Sequence, residues 1–458
     1  MTGKTKPELV NIAIIIATFL TAIEGTIVST AMPKIVQDLG GNHLYSWVIS
    51  VYLLATVLSS AIQGKLADLY GRKPMFQLSV LIFLIGSISC GLSQNMQQLI
   101  FFRLIQGIGA GGLVSIPMTI IGDIFTLEER AKIQGWINTV WGISGILGPL
   151  AGGFIVDTFT WHWIFFMNLP FGVTSLIIMH RALHEQITKK KRSIDFPGII
   201  AFTICMTAFL YSLELVKNKQ FNSLLAGCLI IAILFFSLFL WIETKMKEPM
   251  VSLSLFKNRF INVSYFASFS LGFILVVVTF FIPLWVQGVN HQSATLSGIA
   301  VFPLSLTWIF GSFLTNRLLR KTSIAFIAIL GTLIVVLGCI GLLFLQIDTV
   351  VFWIMVITGI LGVGFGLTFT LFTVVVQSAV VWKRRGSAMG VLGLMRSLGQ
   401  AIGISVSGVW LTDNLSGAML AASLHNIFWI LAIVGFLALA DSGLLIGKTL
   451  VEPVDEKD

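Results

Sequence analysis

Charge is scarce in this chain. Asp, Glu, Lys and Arg make up 11% of its 458 residues, against 56% hydrophobic ones, whereas a soluble domain carries about 25% charged residues. That shortage excludes a water-soluble globular protein and leaves a polytopic membrane protein with almost no soluble domain. Cysteine is scarce as well. Cys90, Cys205, Cys228 and Cys339 each stand alone in an apolar stretch, without a CxxC pair or a Cys/His cluster. They read as small core residues, neither disulfide partners nor metal ligands. A Gly-rich phosphate loop is missing too, which argues against direct drive by ATP. No nucleophile–base arrangement stands out, so no enzyme, cofactor or metal is expected. The formal net charge of +9 is not a nucleic-acid footprint, because the basic residues follow membrane topology.

Long apolar runs are what the chain has. Fourteen windows fall near 11–32, 46–66, 74–93, 98–122, 132–155, 162–181, 195–215, 221–243, 260–286, 295–316, 323–345, 350–376, 387–410 and 425–447. Each is long enough to cross a bilayer as a helix. Lys4 and Lys6 ahead of the first run resemble the start of a signal peptide. The run is too long for one and many spans follow, so it reads as a retained first helix. Lys and Arg set the orientation. With the N-terminus inside, all but five of the 29 lie on the cytoplasmic side: Lys34, Lys217 and Lys219 fall outside, and Arg103 and Arg396 fall within spans. Both termini are therefore expected in the cytoplasm. The run KKKR at 189–192 serves that topology, with contact to anionic lipid as the alternative.

The chain also repeats itself weakly. IQGKLADLYGRK at 62–73 aligns with IFGSFLTNRLLR at 309–320, pairing Gly64 with Gly311 and Lys73 with Arg320. Arg130, Gly135 and Gly148 recur 255 residues later as Arg385, Gly390 and Gly403. Two six-helix halves in the same orientation fit this pattern, with a substrate site between them near the midplane. The helices at about 195–243 have no counterpart and read as an inserted pair. The expected organisation is an N-terminal six-helix bundle at 1–182, a linker with the inserted helices at 183–257, a C-terminal six-helix bundle at 258–448 and a tail at 449–458.

Charges inside spans carry the chemistry. Glu24 lies in the middle of the first span, where a carboxylate costs roughly 2.5–3.5 kcal/mol or more. Binding a proton or a cation relieves that cost most simply, so Glu24 is the first candidate for coupling ion movement to transport. A Glu hydrogen-bonded between helices is the alternative. Arg103 is equally costly unless paired, with Glu24 or backbone carbonyls as candidate partners. Glu214 reads as interfacial and Asp441 as snorkelling or paired, while Arg396 needs a partner or a cavity. The run GKLADLYGRK at 64–73 places Gly64 and Gly71 for close approach and a tight turn. There Asp68 and Arg72 form a candidate latch between helix ends. A fifth-span run of small residues, Gly142, Gly145, Gly148, Pro149, Gly152 and Gly153, gives a smooth packing face with a proline bend.

These motifs together resemble the major facilitator superfamily, and within it the fourteen-helix drug:proton antiporters. The match rests on the 64–73 run and on Leu99, Arg103, Gln106, Gly107, Gly109 and Gly111 in the fourth span. It extends through the fifth-span glycines, Ala22 to Pro33, WHWIFFMNLP at 161–170 and DFPG at 195–198. The resemblance implies an all-α fold of two six-helix bundles plus an inserted pair. It implies a proton-coupling role for Arg103 beside Glu24, and it places Asp123 with Asp68 and Arg72 in one charge cluster. The fifth-span motif, with Gly145, Gly148, Pro149, Gly152 and Gly153, implies antiport. Two positions depart from the family: Glu24 stands where Asp is usual and His162 where Arg is usual. His162 reads as a capping or interfacial residue.

The function so implied is proton-coupled export of lipophilic, cationic drugs or toxic compounds by alternating access, with proton and substrate competing for the Glu24 carboxylate. Tyr52, Asn138, Trp141, Tyr265, Phe269, Phe302 and Trp308 are the candidate substrate contacts, because aromatic faces attract flat cations. The alternative is an exporter or flippase of one endogenous metabolite or lipid on the same fold. The expected partners are small lipophilic substrates, protons and membrane lipids, without nucleic acid. A monomer in a bacterial cytoplasmic membrane is expected, driven by the proton gradient alone.

Overall fold

Apolar segments of this length cannot leave backbone groups unpaired in lipid, so they fold as helices. The computed structural model describes residues 5–125, 127–185, 196–217, 219–246, 251, 253–381, 385–411 and 417–447. Among these described residues are 14 helices long and apolar enough to cross a membrane. They are α1 (Pro7–Leu39), α2 (Tyr45–Tyr70), α3 (Arg72–Gly91), α4 (Met96–Ile124), α5 (Leu127–Thr158), α6 (Asn168–Ala182) and α7 (Phe196–Lys217). Then come α8 (Ser223–Lys245), α9 (Arg259–Leu284), α10 (Ala294–Leu318), α11 (Ile324–Leu343), α12 (Val351–Ser378), α13 (Arg385–Val409) and α14 (Gly417–Gly443). A single helical turn, Trp163–Phe166, precedes α6, and a π-helical turn, Trp285–Val289, ends α9. All fourteen expected spans are present. The KKKR run and Asp195 lie outside the described residues.

Side chains that accept from free N–H groups start several helices, as such caps do. Asn95 accepts from Gln98 N at 2.9 Å at the start of α4, and Asn258 from Phe260 N at 2.9 Å at the start of α9. Gly71 alone separates α2 from α3, with φ at 100°. A side chain at that angle is strained, so this turn needs glycine.

The chain divides into two compact units, Met1–Ile194 with Ser293–Gly298, and Asp195–Gln292 with Ile299–Asp458. In the first, α4 packs along α2 and α3, and α1 along α5 and α6. In the second, α9 packs on α13 and α14, and α11 on α12 and α14. The inserted pair α7 and α8 falls in the second unit, where α7 also meets α13.

Glycine sets the closest approaches. A Cβ on Gly107 or Gly111 would collide with backbone of Tyr52 and Thr56 on α2, and one on Gly109 with backbone of Phe83 on α3. The second unit repeats this 255 residues later. Gly362 and Gly366 lie against backbone of Leu304 and Trp308 on α10, and Gly364 lies against Val335 and Gly331 on α11. The sequence GIGAG at 107–111 thus returns as GVGFG at 362–366. This repeat is stronger than the one legible from residues 62–73. In the first unit, Gly148 and Gly152 seat α5 against Thr26, Ile27 and Thr30 of α1. The Thr26 hydroxyl donates to Ser144 O at 3.2 Å.

Candidate functional site: a buried carboxylate–guanidinium pair

Four helices of the first unit bring their polar groups to one enclosed point. Glu24 comes from the middle of α1, Ser87 from α3, Arg103 and Gln106 from α4, and Asn168 from the first residue of α6. All five are buried, Glu24 completely. Arg103 Nη1 donates to Glu24 Oε1 in a salt bridge, and to Gln106 Oε1 at 2.8 Å. Arg103 Nε donates to Val48 O at 3.3 Å. The guanidinium carbon stands 3.9 Å from the centre of the Tyr52 ring. Glu24 Oε2 accepts from Asn168 Nδ2 at 2.8 Å; the same amide reaches Ser87 Oγ at 3.0 Å, and Ser87 donates to Phe165 O at 2.8 Å.

Both partners that sequence alone offered Arg103 are therefore used together, a carboxylate and a carbonyl. A buried ion pair that is also hydrogen-bonded to its surroundings offsets part of the desolvation of its charges, while removing one partner leaves a charge stranded at a cost of about 3–5 kcal/mol. Arg103 keeps three other supports if Glu24 becomes neutral: the Gln106 oxygen, the Val48 carbonyl and the Tyr52 face. The second unit carries no such pair at the matching position. There Thr358, 255 residues after Arg103, donates its hydroxyl to Ala300 O at 2.8 Å, in the place of Val48 O. The helix contact is preserved and the charge is not.

Asn168 is the residue sequence reasoning missed. It lies within WHWIFFMNLP, which was legible only as a family resemblance. A signal was present: an amide set among apolar residues, two before Pro170 at a helix start.

The structure shows how the Glu24 carboxylate is held by the protein's own groups. Oε1 faces Arg103 and Oε2 faces Asn168, inside the first unit. Tyr52, expected to contact substrate, lies under Arg103 and is 4% exposed. Tyr265 is also enclosed and donates its hydroxyl to Ala388 O at 3.0 Å. Trp141 is exposed at 41%, and Phe269, Phe302 and Trp308 are half-buried. The side chain of Asn138 lies outside the described residues.

A second charge cluster surrounds the α2–α3 turn. Arg72 forms salt bridges with Asp123 and, at 3.8 Å, with Glu185. Glu185 also accepts from the backbone N–H of Arg72 at 2.9 Å and of Lys73 at 3.0 Å. The Asp68 side chain lies outside the described residues, and Gly64 faces Ser115 of α4. Glu185 is a member that no motif announced, since it follows α6 more than a hundred residues from the turn it caps.

The other titratable candidates are scattered, and His162 lies between spans. Glu214 is half-buried on α7. Asp441 has one carboxylate oxygen without a hydrogen-bond partner among the described residues. His162 stacks on Trp161 at 3.8 Å, and its ring nitrogen lies 3.2 Å from Thr160 Oγ1. Burial pushes its pKa down while Asp38 opposes the shift. Its ring makes no cap hydrogen bond, so the interfacial role expected of it fits the geometry better than the capping one. Among the described residues no group of His, Cys, Asp and Glu is placed to hold a metal.

Comparison with known proteins places this arrangement. The sequence pattern of the Major Facilitator Superfamily matches residues 14–404. Multidrug resistance protein 3 of Bacillus subtilis (strain 168) is 35% identical over 408 residues, covering 89% of this chain and 80% of the relative. The multidrug efflux pump SdrM of Staphylococcus aureus (strain N315) is 31% identical over 434 residues, covering 94% and 95%. Among solved structures, a bacterial homologue of the human lysosomal transporter Spinster superposes with a TM-score of 0.70 at 17% identity, covering 96% of this chain and 97% of that one. A D-xylose–proton symporter does so at 0.67 and 13%, covering 97% and 98%. The chain belongs to the major facilitator superfamily, whose members are secondary transporters rather than enzymes.

Proposed function

We propose that this protein is a proton-coupled antiporter that exports lipophilic compounds, cations among them, by alternating access from the cytoplasmic side of a bacterial inner membrane. The observation that carries the reading is the wholly buried Glu24 carboxylate held by Arg103. A membrane chain retains such a pair at large desolvation cost when it does work. A proton arriving at Glu24 cancels the carboxylate's charge and ends its salt bridge. Arg103 then rests on Gln106, Val48 O and the Tyr52 ring, and α1 loses its strongest tie to α4. Proton release restores that tie. The cycle couples protonation to helix packing rather than to direct displacement of substrate. The naming of several relatives as multidrug transporters supports drug-like substrates, against the alternative of one endogenous metabolite or lipid.

Counterflow in proteoliposomes tests this. With an imposed pH gradient and a lipophilic cation inside, wild type is expected to accumulate or extrude the cation in step with the gradient, and Glu24→Gln to lose that coupling. Coupled flux surviving in Glu24→Gln would remove the proton from this site. A panel on which only one compound moves would favour the dedicated exporter.

A further inference from the structure

Three connections of the second unit carry no fixed positive charge. Lys and Arg are absent from 260–316, 322–382 and 397–447, and so from the α9–α10, α11–α12 and α13–α14 connections. Asp348 lies in the α11–α12 connection and is exposed, with no hydrogen bond or ion pair among the described residues. An open cavity of about 530 Å³ adjoins it, within the size of small-molecule sites, about 300–1,000 Å³. Its lining includes Phe344, Gln346, Ile347 and Asp348 of the connection, and Ala421 and His425 of α14.

Two acceptors meet at this cavity. His425 Nδ1 lies 2.9 Å from Ala421 O. A carbonyl only accepts, so Nδ1 donates and the neutral ring keeps its lone pair on Nε2. The Asp348 carboxylate is the other acceptor. Both call for N–H donors, and the carboxylate calls for positive charge.

The protein's own groups hold this lining. Asn290, which follows the π-helical turn of α9, donates from Nδ2 to Ile347 O at 2.7 Å and to Thr349 O at 3.3 Å. Gln346 N donates to Thr349 Oγ1 at 2.7 Å. The Trp285 ring, in the π-helical turn, meets the His425 ring edge-on at 5.3 Å. Turns of this kind recur at functional sites, and a lining fixed in advance lowers the cost of binding. Phe344 on the lining is 78% exposed, and Trp353 at the start of α12 is exposed as well. Exposed Trp at the end of a span marks the depth of lipid headgroups.

We propose that this cavity binds a primary ammonium group carried on an apolar chain. Its N–H groups would donate to Asp348 and to His425 Nε2, and its chain would lie along Phe344 and Ile347. A quaternary ammonium carries the charge but lacks the N–H that Nε2 needs. Two sources present the favoured group: the headgroup of phosphatidylethanolamine and a free alkylamine. The site is separate from Glu24 and is filled whether or not the protein transports.

Native mass spectrometry of the purified full-length protein in detergent tests it. The probes are phosphatidylethanolamine and phosphatidylcholine of equal acyl chains, added in equal amounts. Wild type is expected to retain the first about tenfold over the second, the preference that charge-assisted hydrogen bonds supply. Asp348→Asn, at a side chain that holds nothing in place, should bring the ratio near one. His425→Phe keeps a ring against Trp285, removes Nε2 and should lose part of the preference. Calorimetry with hexylammonium against 1-hexanol gives the free-amine arm. A lipid preference that depends on Asp348 upholds the site and assigns it to the headgroup. Asp348-dependent binding of hexylammonium without a lipid preference upholds it and assigns it to free amines. The site is overturned if wild type discriminates in neither arm, or if its preference survives undiminished in Asp348→Asn or His425→Phe. Each ratio is read within one protein, so a variant of lower yield still reports.

Discussion

At the residue scale the central fact is that one carboxylate and one guanidinium are buried together and hydrogen-bonded to their neighbours. This dictates how variants behave. Arg103→Ala strands the Glu24 charge, and Glu24→Ala strands the Arg103 charge, each at about 3–5 kcal/mol. The double variant Glu24→Gln/Arg103→Gln strands nothing. It is expected to unfold at a higher temperature than Arg103→Ala, which a thermal shift assay on detergent-solubilised protein would show. A double variant no more stable than the single would mean the pair contributes little to the fold. Asn168→Leu is expected to cost about 1–3 kcal/mol, the penalty of leaving Glu24 Oε2 and Ser87 short of a partner. The same assay reads it, and a change within error would mean water replaces the amide. Glu24 and Arg103 were legible in the sequence because a charge inside an apolar run has to be explained. Asn168 was not, because an uncharged amide costs too little to stand out and its partners come from helices distant in sequence. Glu185 was hidden for a similar reason, as a carboxylate in a polar connection looks solvated until the turn it caps is seen.

At the element scale the helices are placed by the absence of side chains. Glycines at 107, 109 and 111 let α4 meet α2 and α3 backbone to backbone, and their counterparts at 362, 364 and 366 do the same for α12. A leucine at Gly111 or Gly366 would have to displace backbone rather than a flexible chain end, so destabilisation of about 1–3 kcal/mol or more is expected. Leucine at Gly390 or Gly393, where nothing lies within 4 Å, should be tolerated. Comparing the four variants by yield of monodisperse protein would check it, and equal yields would show that these approaches are not needed. The fourteen helices were fully legible, since length and apolarity suffice for that. The repeat was only partly so. GIGAG and GVGFG share their glycines but not the residues between them, and nothing in the letters says that only the glycines meet another helix. Which of the aromatic residues are enclosed was not legible for a related reason. Hydrophobic residues are common on every face of a membrane helix, and burial separates Tyr52 and Tyr265 from Trp141 only once neighbouring helices are placed.

At the scale of the whole molecule, charge placement predicts which end of each helix lies in which compartment. The distribution of Lys and Arg predicts both termini in the cytoplasm, an orientation that would send the α7–α8 and α11–α12 connections outside. Phe221 in the first is 74% exposed and Val350 in the second 66%, whereas His184, after α6, belongs to the opposite end. The four native cysteines are all buried, so single cysteines can be introduced without first removing them. In intact cells, a membrane-impermeant maleimide is expected to label Phe221→Cys and Val350→Cys and to leave His184→Cys unlabelled until the membrane is opened. The reverse pattern would invert the protein. It would also invert the direction of export, because a proton entering from outside would then meet Glu24 from the other end of α1. Labelling of only one of the two outer positions would mean the inserted pair α7–α8 does not cross as two spans. Where the one labelled is Phe221→Cys, the halves would then face opposite ways, against the shared glycine pattern of α4 and α12.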